Sequence, residues 1–226
     1  MGEIFSFKSA TEDDLSGHLE RPAGNGPWPG VLVVQEWWGL VPHIKDVAAR
    51  FAKLGYLALA PDLYLGEFAE DADGAMRLTQ QHGPAAGERL QAAYRPLRDH
   101  PDCTGKVGAV GYCFGGRMVL HLACHEIDLD AAAIYYSGRM EQYFDRVKNI
   151  RCPVLGLYGG EDGGIPAKTV KEFDSLLDAT GVPHEVVIYP GAAHAFFNDT
   201  GSNYHAPSAA DAWKRTTQFF DKYLKG

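Results

Sequence analysis

Cysteine is scarce in this chain: four residues, Cys103, Cys113, Cys124 and Cys152, with no C-x-x-C pair. Scattered thiols of this kind are expected to be free in a reducing cytoplasm. No apolar run is long enough to cross a bilayer, and Met1–Lys8 lacks the apolar core of a signal peptide. Positive charge is also short, with 21 Lys and Arg against 29 Asp and Glu, a net charge of -8 with His neutral. A surface of that sign makes nucleic acid and anionic membrane poor partners. Repeats, linkers and low-complexity tracts are absent. What is present is 226 residues, 46% of them hydrophobic, enough for one well-buried domain over residues 1–226.

The apolar pattern alternates between two periods. Ile4 to Lys8 and Gly17 to Glu20 read as an antiparallel hairpin at a sheet edge, followed by a Pro- and Gly-rich loop from Arg21 to Gly30. Val31 to Val34 is a β-branched run suited to a strand buried on both faces. Ile44, Val47, Ala48, Phe51 and Leu54 mark a helix that stops at Gly55, and Tyr56 to Ala60 the next strand. Gly66 to His100 reads as helical but broken near Gly83 and Pro84. Further strands are expected at Val107 to Tyr112, Ala131 to Tyr136, Pro153 to Gly159 and Glu185 to Tyr189. Helices are expected after Cys113, around Val170 to Leu177, and from a capping box at Ser208 and Asp211 to Leu224. Strands alternating with helices predict an α/β fold, a mostly parallel central sheet with helices on both faces.

The chemistry gathers around one stretch. Gly111, Tyr112, Cys113, Phe114 and Gly115 form the nucleophile-elbow pattern G-x-S-x-G with cysteine in place of serine, preceded by a strand and followed by a helix. Such a turn raises Cys113 above the carboxyl end of the sheet at a helix N-terminus. The loops after later strands carry Glu161 and Asp162, then His194, giving the order nucleophile, acid, histidine of α/β-hydrolases. His194 is the candidate base, with His205 in reserve. Asp162 is the candidate acid, with Glu161 beside it as the alternative. The expected oxyanion donors are the backbone N–H groups of Phe114 and Trp37.

Glu36, at the end of the Val31 strand and beside Trp37 and Trp38, is the unusual carboxylate. If its carboxylate faces Cys113, at about 4 Å and an effective dielectric of about 20, it is expected to oppose a thiolate by about 4 kcal/mol. The helix N-terminus favours the thiolate by at most ~2 kcal/mol. On that balance the thiol rests protonated unless His194 is cationic.

Together these residues resemble the dienelactone hydrolase family of the α/β-hydrolases. The matching features are Gln35 and Glu36 with Gly39, Pro61 to Tyr64, Gly105 to Val107 leading into the cysteine elbow through Gly116, Tyr135 and Tyr136, Gly160 with Asp162, and Gly191 with His194 to Phe196. The resemblance spans nearly the whole chain. It implies a Cys113–Asp162–His194 triad in which Glu36 holds the resting thiol and takes its proton when substrate binds. It implies an acyl-enzyme on Cys113 and a small ester or lactone as substrate, with no metal and no cofactor. The family's dienelactones carry a carboxylate. The arginine that helps hold it stands four positions after the histidine, where this chain has Asn198. A second arginine comes from the helical insertion, where Arg77 is the nearest candidate and Glu67 to Asp73 is acidic. Tyr136, Asn198 and Arg77 are the expected substrate-binding residues, and a monomer or weak homodimer the expected state. A thioesterase or acyltransferase with the same triad, and a hydrolase-fold ligand sensor without turnover, are the competing readings.

Overall fold

The computed structural model describes residues 2–12, 14–125 and 127–226. The chain divides into two compact units, Met1–Ala109 and Val110–Gly226, with the boundary inside one strand.

In the first unit β1 (Glu3–Phe7) and β2 (Leu15–Glu20) form the expected antiparallel hairpin, Glu3 opposite Leu19 and Phe7 opposite Leu15. Strand β2 also pairs antiparallel with β4 (Leu57–Pro61), which runs parallel to β3 (Trp28–Val34). The order is β1-β2-β4-β3-β5, with β5 at Cys103–Tyr112. Val31 to Val34 are fully buried, as a strand covered on both faces requires. Between β3 and β4, α1 (Pro42–Lys53) buries Ile44, Val47, Ala48 and Phe51. The loop expected to reach Gly30 ends earlier: Trp28 N–H donates to Asp102 O at 2.8 Å, and β3 begins there.

The helix expected to break at Gly83 and Pro84 is continuous, α2 (Ala72–Arg98). Its buried residues Ala75, Leu78, His82, Ala86, Leu90, Ala93 and Leu97 recur at helical spacing. Pro84 lies on the exposed side, as does Gln80, whose carbonyl loses the bond that the proline cannot donate. Water can satisfy that carbonyl, so packing of the other face carries the helix through.

In the second unit the order continues β5-β6-β7-β8, with β6 (Ala131–Tyr135), β7 (Val154–Gly159) and β8 (His184–Tyr189) paired parallel. Helix α3 (Phe114–Ala123) packs on β6, α4 (Ala167–Asp178) on β8, and α5 (Ala206–Phe220) on β7. A 3-10 helix at Met140–Asn149 was not legible from periodicity. The capping box at Ser208 and Asp211 does not form. His205 is the N-cap, its ring bonds Ser208 Oγ at 2.8 Å, and Asp211 takes the Tyr189 hydroxyl and Arg215. Leu224 sits beyond α5 in a π-helical turn.

Candidate active site

Cys113 occupies the turn between β5 and α3 with φ 55° and ψ -112°, a conformation that L-residues rarely hold. The surrounding glycines permit it. A Cβ at Gly111 would overlap the Gly115 carbonyl, and one at Gly116 would lie 2.5 Å from Tyr135 O. Cys113 N–H donates to Tyr135 O at 3.1 Å, and its carbonyl accepts from Arg117 N–H at 3.2 Å. The residue is thus tied to β6 on one side and starts α3 on the other. Phe114 is the first residue of α3, so its N–H belongs to the helix N-terminus.

His194 joins the sulfur to a carboxylate. Its Nε2 lies 3.1 Å from Cys113 Sγ and its Nδ1 2.6 Å from Asp162 Oδ2. Asp162 is 6% exposed and also accepts from Gly164 N–H at 2.9 Å, whereas Glu161 is exposed. Backbone bonds stitch the two loops together: Gly160 N–H to Tyr189 O at 2.8 Å and Glu161 N–H to Ala192 O at 2.9 Å. Asn203 Nδ2 donates to His194 O at 3.0 Å, and the Tyr136 ring stands edge-on to the imidazole at 5.2 Å. Neither support was evident from sequence. Asn203 sits in a run of small polar residues, and nothing local marks the positive φ of 33° at Tyr136.

Burial works against a proton on His194, but the hydrogen bonds to Asp162 and Cys113 and the charges of both outweigh it and raise its pKa to about 10. Cys124 and Cys152 are buried free thiols pushed up to about 12, chiefly by that burial, which leaves them unreactive.

The remaining candidates are more scattered. His205 is engaged with Ser208 and Phe196 O at the start of α5. Asn198 is buried, its Oδ1 accepting from Thr200 N–H at 3.0 Å and Thr200 Oγ1 at 2.7 Å. In the first unit Glu36 is 1% exposed at the end of β3, Trp37 and Trp38 meet edge-on at 5.2 Å, and Arg77 is exposed on α2. Among the described residues no three His, Cys, Asp or Glu side chains converge as metal ligands, and no helix is long and apolar enough to cross a membrane.

A strained cysteine elbow hydrogen-bonded to a histidine, itself bonded to a buried aspartate, has the layout of a hydrolase triad with a thiol where that pattern has a hydroxyl. A sequence profile described as "Dienelactone hydrolase family" matches residues 15–224. The chain belongs to the dienelactone hydrolase family. It is a hydrolase acting on carboxylic ester bonds, with the α/β-hydrolase fold. A Yersinia pestis relative named "Putative carboxymethylenebutenolidase" is 34% identical over 93% of this chain and 85% of its own. Among solved structures, a "Putative Dienelactone Hydrolase" from Klebsiella pneumoniae superposes with a TM-score of 0.88 at 31% identity, covering 99% of each chain. A "Dienelactone Hydrolase-like Promiscuous Phospotriesterase P91" from metagenomic libraries gives a TM-score of 0.90 at 28% identity, covering 99% of this chain and 98% of that one.

Proposed function

We propose that this dienelactone hydrolase family member opens a small ester or lactone through an acyl-enzyme on Cys113. The observation that carries the reading is His194 bridging Cys113 Sγ and Asp162 Oδ2 at 3.1 and 2.6 Å. The sulfur attacks the carbonyl carbon, and the Phe114 and Trp37 N–H groups receive the oxyanion. As the C–O bond breaks, His194 passes a proton to the leaving alkoxide, which in a lactone stays tethered to the acyl group. Water then gives a proton to His194 and its oxygen attacks the thioester. Breaking the C–S bond releases the acid, and the returned proton restores the pair. Asp162 holds the imidazole in place and stabilises its cation. Glu36 shifts the balance between thiol and thiolate at the sulfur, accepts the proton of the thiol form when substrate arrives and returns it once the C–S bond breaks; its burial at the end of β3 supports this.

Tyr136, Asn198 and Arg77 are the proposed substrate contacts. The Asn198 position, and the exposed Arg77 in place of a held guanidinium, favour a neutral ester or lactone over a carboxylate-bearing one. The profile match crosses the boundary between the two units, which supports one catalytic domain over 1–226. A cytoplasmic monomer or weak homodimer is the proposed state.

The test is release of p-nitrophenol from short acyl esters, followed by a lactone panel, with mass spectrometry of Cys113 in quenched reactions. Continuous turnover with a transient acyl mass on the Cys113 peptide supports the proposal. A single stoichiometric burst would instead favour the sensor reading, and faster turnover of acyl thioesters than of any ester or lactone would favour a thioesterase.

A further inference from the structure

Within the first unit, the segment that carries Glu36 and Trp37 is gripped at both ends by one other segment. At its start, Leu63 N–H donates to the Gln35 side chain at 3.2 Å. At its end, Ala69 N–H donates to Trp38 O at 2.9 Å, and Gly39 forms an isolated antiparallel bridge with Phe68. Gly39 has φ +94°, and a Cβ there would lie 2.6 Å from Glu67 O, so the two backbones are in direct contact.

The gripping segment is in turn held at the same two ends by α2. Arg89 Nη1 donates to Leu63 O at 2.7 Å, and His82 Nε2 lies 2.8 Å from Glu67 Oε1. Arg89, itself buried, makes two further bonds to Glu12 at 2.6 and 2.8 Å and one to His82 Nδ1 at 3.1 Å. A guanidinium has only donors, so His82 Nδ1 must accept. The ring hydrogen is then on Nε2 and is donated to the Glu67 carboxylate. Tyr64 stacks on the His82 ring at 5.3 Å and 21°, which fixes its plane. Glu12, Arg89, His82 and Glu67 thus form one hydrogen-bonded chain, at whose end Glu67 Oε1 also accepts from Gln81 Nε2 at 3.0 Å.

We infer that His82 is a positioning residue for catalysis: through Glu67 it sets the backbone at Phe68 and Ala69, and so the placement of Trp37 N–H and Glu36. The inference rests on the roles proposed above for those two residues. A donor displaced by about 1 Å costs on the order of a hundredfold in rate, so the effect of a distant histidine is measurable.

The experiment compares wild type with His82→Ala, His82→Gln and Glu67→Ala. Glu67 is half exposed, so its variant tests the link even where His82→Ala folds poorly. Steady-state ester hydrolysis is measured beside thermal stability and the far-ultraviolet exciton band of the Trp37–Trp38 pair. The expected result is a kcat at least tenfold lower in His82→Ala and Glu67→Ala, with KM within about twofold and the exciton band altered. Gln offers Arg89 an acceptor and Glu67 a donor, so His82→Gln should recover much of kcat. A kcat within twofold of wild type in Glu67→Ala overturns the inference, as does a loss in all three variants that follows stability alone. Cys113→Ala is assayed alongside. If it is dead while Glu67→Ala is fully active, the positioning role fails alone; if it is active, the catalytic reading beneath it fails.

Discussion

Glu161 and Asp162 are adjacent carboxylates on one turn, and burial separates them, with only Asp162 bonded to His194. Replacing Asp162 by Ala should lower turnover by about a thousandfold or more, while Glu161→Ala should stay within about twofold. A more damaged Glu161→Ala would reverse the assignment. Cys113→Ala should abolish hydrolysis with the fold intact, checked by circular dichroism, because a half-buried elbow side chain contributes little packing. Under the proposed mechanism two opposed groups set the charge on the sulfur. An imidazolium 3.1 Å away attracts a thiolate by about 5 kcal/mol at an effective dielectric of about 20. That exceeds the about 4 kcal/mol by which a facing Glu36 opposes it. His194→Ala should therefore slow iodoacetamide labelling of Cys113 at pH 7, and Glu36→Gln should speed it, with peptide mapping separating the other three cysteines. An unmoved rate in Glu36→Gln would make that residue structural.

At the scale of elements, α2 does more than cover the sheet. Its buried face is mostly Gly, Ala and Leu, but the one guanidinium on that face, Arg89, holds Glu12, Leu63 O and His82 at once. The Arg89 hydrogen bonds keep the Glu12 carboxyl below its usual range, against a smaller opposing effect of burial. Removing a buried cation leaves its partners unsatisfied at a cost of about 3–5 kcal/mol. Arg89→Ala should lose stability of that order in urea unfolding, and loss of less than about 1 kcal/mol would show that the network is replaceable. The elbow is the other demanding element. The strain at Cys113 persists because Gly111 and Gly116 let strand and helix backbones approach within the reach of a methyl group.

For the whole molecule, these titrations define a stability profile. His194 has a folded pKa near 10 against an ordinary value of 6.5, so its contribution is complete below pH 6.5 and is lost as pH rises toward 10. Burial first, then the charges of His125 and Arg146, lowers His121 to about 4. The unfolded chain therefore binds that proton first, and stability falls as pH drops from 6.5 toward 4. Above pH 9 the buried Cys124 and Cys152 add to the alkaline loss, because burial holds their thiols un-ionised while the unfolded thiols ionise. The urea midpoint should peak near pH 6.5. His121→Asn should flatten the acid limb, and His194→Ala the limb from 6.5 to 10. A profile level from pH 5 to 9 in the wild type would contradict both shifts.

The strands, most helix positions and the cysteine elbow were legible in sequence because each depends on neighbours: a β-branched run, a 3.6-residue period, glycines flanking one turn. The chain order Cys113, Asp162, His194 was legible for the same reason, each residue following its own strand. Local pattern misjudged α2, where a proline on the exposed side outweighed a buried face that only packing reveals. It also misread Ser208 and Asp211, whose side chains bond the His205 ring, the Tyr189 hydroxyl and Arg215 one turn further along the helix rather than the backbone N–H groups of its first turn. Which of Asp162 and Glu161 bonds His194 was open in sequence. That contact is set in space, as are the Tyr136 ring beside His194 and the Glu12 to Glu67 chain. Eighty-one residues separate Cys113 from His194, and 77 separate Glu12 from Arg89. Bonds across such distances are set by where the strands and α2 deliver each side chain and by which of its atoms lose water there, and neither is a property of any local stretch.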